Sequence, residues 1–141
     1  MKATLLLCDH AAVADGKLYI SGGGWSMVSP NVTGFIALLL AVPWDLANHD
    51  LELELALRDE DGDAVPTQDP LGNEVPLKLG AKLQVGRPPG LVRGISLDVP
   101  LAIPLPPLVL PPGRRFEWVL TINGETKEEW RLPFLVVSPP T

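Results

Sequence analysis

Leu51, Leu53, Leu55 and Leu57 alternate with Glu52, Glu54, Ala56 and Arg58, a period of two that fits a β-strand with one buried and one solvated face. The run stops at Asp59-Glu60-Asp61-Gly62-Asp63, a turn signal. Such punctuation recurs throughout: 16 Pro and 13 Gly in 141 residues interrupt the chain every few positions, and no long segment places apolar residues at helical spacing. These 29 residues stay below the share that marks low-complexity disorder, and 46% hydrophobic content supplies a core. The pattern predicts an all-β chain. Its expected form is a two-layer antiparallel β-sandwich, immunoglobulin-like or jelly-roll, of seven to nine strands with little or no helix, residues 1–141 making a single domain.

Further strands are expected at residues 3–8, 17–20 (after the Ala14-Asp15-Gly16 turn) and 33–42, the last apolar on both faces and so central and doubly covered. A weaker one covers 75–85, with Leu77, Leu79, Leu83 and Val85 on one parity. In 95–106 the apolar Leu97, Val99, Leu101, Ile103 and Leu105 are odd, whereas Pro100, Pro104 and Pro106 are even. Proline has no N–H for a ladder, so this reads as an edge strand that resists further strand addition. A polyproline ligand segment is the weaker reading.

The last unit is a hairpin, 115–122 and 125–137, around Asn123-Gly124. A two-residue type I′ turn would set Trp118 opposite Glu129 and Trp130 opposite Glu117. A three-residue loop with Gly124 as a G1 bulge would pair Phe116 with Trp130 and gather the aromatic residues on one face. The buried face selects the bulged form.

Cys8 is the only cysteine, so neither an intrachain disulfide nor a cysteine zinc cluster forms. A net charge of −6 argues against nucleic acid as a partner. Lys2 and the apolar 3–8 imitate a signal peptide, but the run is too short for one, and the apolar 34–42 is too short for a membrane helix. The expected location is the cytoplasm or a particle assembled there, with no membrane partner. Charge is segregated: residues 45–74 hold ten acidic side chains against Arg58, a net −9, and 75–97 hold Lys78, Lys82, Arg87 and Arg93 with no acid. Opposed segments of this kind steer association, although both also read as solvated strand faces.

Chemistry is sparse. Cys8 and His10 share a strand face, which permits a Cys–His dyad, but a small buried cysteine beside a strand-end histidine is the stronger reading. His49, in Trp44-Asp45-Leu46-Ala47-Asn48-His49-Asp50, lacks the companions of a metal triad. Asp59, Asp61 and Asp63 imitate a calcium loop, yet Ala64 and Pro70 stand where it needs Gly and Glu, so an acidic hairpin turn is expected. Ser21-Gly22-Gly23-Gly24-Trp25 is no phosphate loop, because no Gly-Lys-Ser/Thr follows. Trp118 and Trp130 are expected in the core, Trp25 and Trp44 in turns or as ligand platforms. No cofactor and no metal is expected.

Four blocks carry a family resemblance: LCDHAAVADGKLYISGGGW, PWDLANHDLELELALRDEDGDAV, VGRPPGL leading to LDVPLAIPL, and LPPGRRFEWVLTINGETKEEWRLPFLV. Together they resemble a family of small uncharacterised proteins found mainly in actinobacterial genomes. Its most specific pieces here are Gly22-Gly23-Gly24-Trp25, Pro43-Trp44 and Gly86-Arg87-Pro88-Pro89-Gly90. The resemblance runs from Leu7 to Val136 and implies a single domain, but it assigns no activity and no site residue.

The functional expectation is a non-enzymatic structural or interaction module with protein partners, self-associating or part of a larger assembly; a phage-type capsid decoration or accessory protein is one concrete form. A small-ligand or carbohydrate-binding sandwich using Trp25 and Trp44 is the alternative, and a hydrolase with an unrecognised site comes third. The expected contact residues are Trp25, Trp44, His49, Lys78, Lys82, Arg87 and Arg93.

Overall fold

The computed structural model describes residues 1–138. Regular structure among them is extended except for two single 3₁₀ turns, Trp44–Leu46 and Glu128–Trp130. The all-β, mainly antiparallel expectation holds. Eight strands of six residues or more fall within the expected seven to nine: β1 (Lys2–Ala14), β2 (Lys17–Gly23), β5 (Phe35–Val42), β6 (Asp50–Asp59), β9 (Lys78–Gln84), β10 (Leu97–Pro104), β12 (Arg115–Ile122) and β13 (Arg131–Val136). Five segments of two or three residues accompany them: β3 (Met27–Val28), β4 (Asn31–Val32), β7 (Pro66–Gln68), β8 (Glu74–Pro76) and β11 (Leu108–Val109). Two compact units result.

The first unit comprises Met1–Trp25, Thr33–Leu51 and Lys82–Pro106. Its sheet has the order β10-β5-β1-β2. The apolar 33–42 run is central as expected, because β5 pairs with both β1 and β10. One face of β5 (Ile36, Leu38, Leu40 and Val42) is wholly buried. On the other, Cys8, Ala11 and Ala37 cluster with Leu6, Leu18, Phe35 and Ala102. Cys8 and Ala11 differ in parity, so they share a cluster only if β1 turns sharply between them. Its first half pairs with β5 and its second with β2, and Cys8 belongs to both ladders. The β1–β2 arm thus folds back across the sheet, and β2 comes within 8 Å of β10 between Cα atoms. Leu39, beyond this cover, stays 36% exposed.

The expected edge strand is β10, at the end of that sheet. The Leu105 N–H donates to Gly34 O at 2.9 Å, so odd peptide groups point toward the β5 side. Pro100 and Pro104, of the other parity, therefore face the open edge, where their missing N–H costs no ladder bond.

The second unit comprises Ser26–Val32, Glu52–Ala81 and the described residues from Pro107 onward. Its main sheet has the order β3-β13-β12-β6-β9, with β3 parallel to β13. Leu53, Leu55 and Leu57 of β6 are buried, as the alternation requires. The odd residues of 75–85 are again the more buried ones, although the strand is split at Leu77 into β8 and β9.

The expected hairpin register is wrong. Ile122 and Glu125 exchange hydrogen bonds of 2.8 and 3.0 Å around Asn123 (φ +50°) and Gly124 (φ +81°), a two-residue type I′ turn rather than the bulged loop. The chain then leaves the ladder. Thr126 Oγ1 donates to Leu120 O at 2.7 Å, and the 3₁₀ turn at Glu128–Trp130 follows. When β13 rejoins, Trp118 stands opposite Leu132 and Phe116 opposite Phe134, not Trp130. A continuous ladder would have paired Trp118 with Glu129, so three residues are absorbed, and an odd number inverts the faces. Phe116, Trp118, Phe134 and Val136 are thereby buried, and so is Trp130, from its turn.

Candidate functional site

Cys8 is fully buried, as the stronger reading of its sequence context expects, and its thiol donates to Phe35 O at 3.5 Å. Burial pushes the thiol pKa up, and the charge of Asp9 adds to this against a smaller opposing hydrogen bond from Ala37. The reactive thiolate is correspondingly scarce. His10 sets its ring edge-on to Phe35, with centroids 4.8 Å apart.

The acidic triplet is a turn device. Asp59, Asp61 and Asp63 hold carboxylate oxygens within 4.8 Å of one another. Asp59 Oδ1 accepts the N–H groups of Asp61 and Asp63 at 2.9 and 3.0 Å, with Gly62 at φ +83°. Ten residues on, Asp69 Oδ1 accepts Leu71 and Asn73 N–H at 2.9 and 2.8 Å, with Gly72 also at φ +83°. The second turn reproduces the first without its acidic companions, so turn formation accounts for Asp59 by itself. Glu60 and Asp61 are engaged by Arg114 at 3.2 and 3.9 Å. A cleft of about 370 Å³ beside this turn includes Arg115 and the Arg131–Glu117 ion pair of 3.2 Å.

A more specific arrangement lies in the first unit, where two loops are clipped together. Pro43 enters the 3₁₀ turn and Ala47 closes it, its N–H donating to Trp44 O at 3.3 Å, with Asn48 following at φ +63°. Arg87 Nε and Nη2 both donate to Trp44 O, at 3.2 and 3.0 Å, while the guanidinium lies 3.6 Å from the centroid of the Trp44 ring. Arg93 lies 5.1 Å from the same centroid. A second clip joins Asn48 N–H to Val85 O at 2.7 Å and Gln84 Nε2 to Asn48 O at 2.8 Å.

The loop so anchored consists of two successive turns. Leu91 N–H donates to Pro88 O at 3.2 Å and Ile95 N–H to Val92 O at 3.1 Å, with Gly90 and Gly94 at φ +88° and +92°. Proline before a positive-φ glycine is the type II signature, so Pro89-Gly90 sets the first turn. The second raises Arg93 at its corner between Val92, 66% exposed, and Ile95, 55% exposed.

Three of the seven expected contact residues thus meet: Trp44, Arg87 and Arg93. His49 is exposed at the end of the Trp44 turn. Trp25 is half-buried against Gly34, where a Cβ would stand 3.1 Å from its ring. Lys78 is paired with Glu54 at 3.7 Å, and Lys82 is exposed on β9. The alternative use of Trp44 as a sugar platform meets Arg87 already lying over its ring. Val92, Ile95, Asn48 and Gln84 were missed; a glycine every fourth residue from Gly86 to Gly94 was the available signal.

No curated protein and no solved structure matches the chain. The sequence model of one family, described as a family of unknown function (DUF6941), matches residues 3–137, and the chain belongs to that family.

Proposed function

We propose that the protein is a non-enzymatic interaction module that works within a multimeric assembly and docks an acidic protein surface through the loop clipped to Trp44. One observation carries this reading: Val92 and Ile95 stand exposed on either side of Arg93, on turns pinned by Arg87. Apolar side chains on a pre-anchored loop lose little entropy on docking, and a flanking cation selects an acidic rim. The acidic segment 45–74 of another copy has the complementary charge, so self-association through this loop is the nearest instance. A capsid-decorating or other particle-associated role, assembled in the cytoplasm, is one setting for such a module. Neither nucleic acid nor membrane is its partner in this reading.

The test is the native mass at several salt concentrations, for the wild type and for the V92S/I95S and R93E variants. Assembly through the loop is expected to grow as salt falls and to be lost in both variants. A mass indifferent to salt and to these substitutions would sink the proposal.

A further inference from the structure

The twin turns at Asp59 and Asp69 differ in one informative place. Beyond the two N–H groups that each aspartate carboxylate accepts, they share their backbone bonds. Asp59 N–H donates to Asp63 O and Gly62 N–H to Asp59 O; Asp69 N–H donates to Asn73 O and Gly72 N–H to Asp69 O, all at 2.9 or 3.0 Å. Position by position, Asp61 of the first turn corresponds to Leu71 of the second. The same backbone device thus accepts a charged residue there and does not call for an apolar one. Yet Leu71 is 85% exposed, the highest value among the large apolar residues described. Pro70, where the first turn has Glu60, fixes one more φ at this tip.

The charges differ in the same sense. Glu60 and Asp61 of the first turn are paired with Arg114, whereas Asp69 and Glu74, on either side of Leu71 in the chain, form no ion pair among the described residues. The β7–β8 hairpin therefore presents a leucine between two uncompensated carboxylates. The loop clipped to Trp44 presents the inverse, a guanidinium between two exposed apolar side chains, Val92 and Ile95. Arg93 likewise forms no ion pair among the described residues; its contact is the Trp44 ring, 5.1 Å away.

We propose that the Trp44 loop of one copy receives the β7–β8 tip of another, Leu71 packing on Val92 and Ile95 while Arg93 meets the carboxylates of Asp69 and Glu74. The inference rests on the reading of that loop as a docking site and names its occupant. Charge complementarity points to the acidic segment 45–74. Within it, Glu54 is spent on Lys78, and Glu60 and Asp61 on Arg114. Leu71 is the one exposed large apolar side chain of the segment, so the tip alone offers both kinds of contact. Both partners are ordered beforehand, the tip by Asp69 and the loop by Arg87, so little chain entropy is lost on docking. Tip and loop are different surfaces and each copy carries one of each, so the contact is heterologous and joins copies head to tail.

Sedimentation of the full chain at low salt tests this. The wild type is expected to associate, and Leu71→Ser and V92S/I95S each to stay at 15.2 kDa, with a cooperative melt as the folding check. Mixed together, the two variants are expected to form a one-to-one complex and nothing larger, because only the intact tip of one and the intact loop of the other remain. Rising salt should dissolve that complex. If Leu71→Ser associates like the wild type while V92S/I95S does not, the loop docks a different acidic surface, and the tip is overturned as its partner while the docking reading stands. If V92S/I95S associates like the wild type, both are overturned. A wild type that stays monomeric at about 1 mM, or a mixture that does, also overturns the proposal.

Discussion

Arg87 grips Trp44 twice: its guanidinium donates two hydrogen bonds to the Trp44 carbonyl and at the same time covers the indole ring 3.6 Å below. Lysine cannot do both in the same geometry, since it has no planar fork and no flat face. Arg87→Lys is expected to cost about 1 kcal/mol and to speed amide exchange across 86–95, with little change elsewhere. Denaturant unfolding and hydrogen exchange read the two effects. Unchanged exchange in that loop would show that Arg87 does not anchor it.

The twin turns make a paired prediction. Asp59→Ala and Asp69→Ala each remove two solvent-exposed turn hydrogen bonds and are expected to destabilise by a similar amount, about 0.5–1 kcal/mol. Asp59→Asn keeps the accepting oxygen and should recover most of the loss. Millimolar calcium is expected to leave the wild-type melting temperature unshifted; a specific rise abolished by Asp61→Asn would reassign the triplet to metal binding.

The three-residue offset in the last hairpin is stringent. Deleting Glu128 absorbs two residues instead of three and turns Leu132 and Phe134 to the opposite face. The deletion variant is expected to show no cooperative melt, whereas Glu128→Ala should stay within about 0.5 kcal/mol of the wild type.

Leu57 and Trp118 stand opposite each other on β6 and β12, and both are completely buried. Leu57→Ala is expected to cost about 2–5 kcal/mol, as lost transfer energy plus a residual cavity. Urea unfolding with an unchanged m-value would confirm that the native state alone is affected.

Cys8 predicts a slow reaction and an alkaline limb. Its folded pKa is raised, so the native state holds the thiol proton more tightly than the unfolded chain. That contribution to stability is fully present below the ordinary thiol range and is lost as pH rises through the folded value. A thiol reagent should react far more slowly with the native chain than with the chain in urea, and Cys8→Ala should flatten the alkaline decline. A native thiol labelled at the unfolded rate would contradict the burial.

The alternation at Leu51–Leu57, the parity of the prolines near β10 and the turn glycines were legible in the sequence, because each is a local rule: side-chain period, a missing donor, a permitted φ. Those rules determined the all-β class, the edge position of β10 and most of the buried residues. They did not determine how distant segments meet. Asn123-Gly124 adopted its preferred turn, and the demand for a buried face was met five residues later by a 3₁₀ turn that no pairwise pattern marks. The sharp bend of β1 at Cys8 is likewise invisible locally, since it exists to bring Ala11 and Leu18 onto Ala37 and Ala102. Trp44 and Arg87, 43 residues apart, were each singled out, yet only the folded chain brings a guanidinium over that ring. Local stereochemistry chooses the elements, and burial summed over the whole chain chooses their register and neighbours.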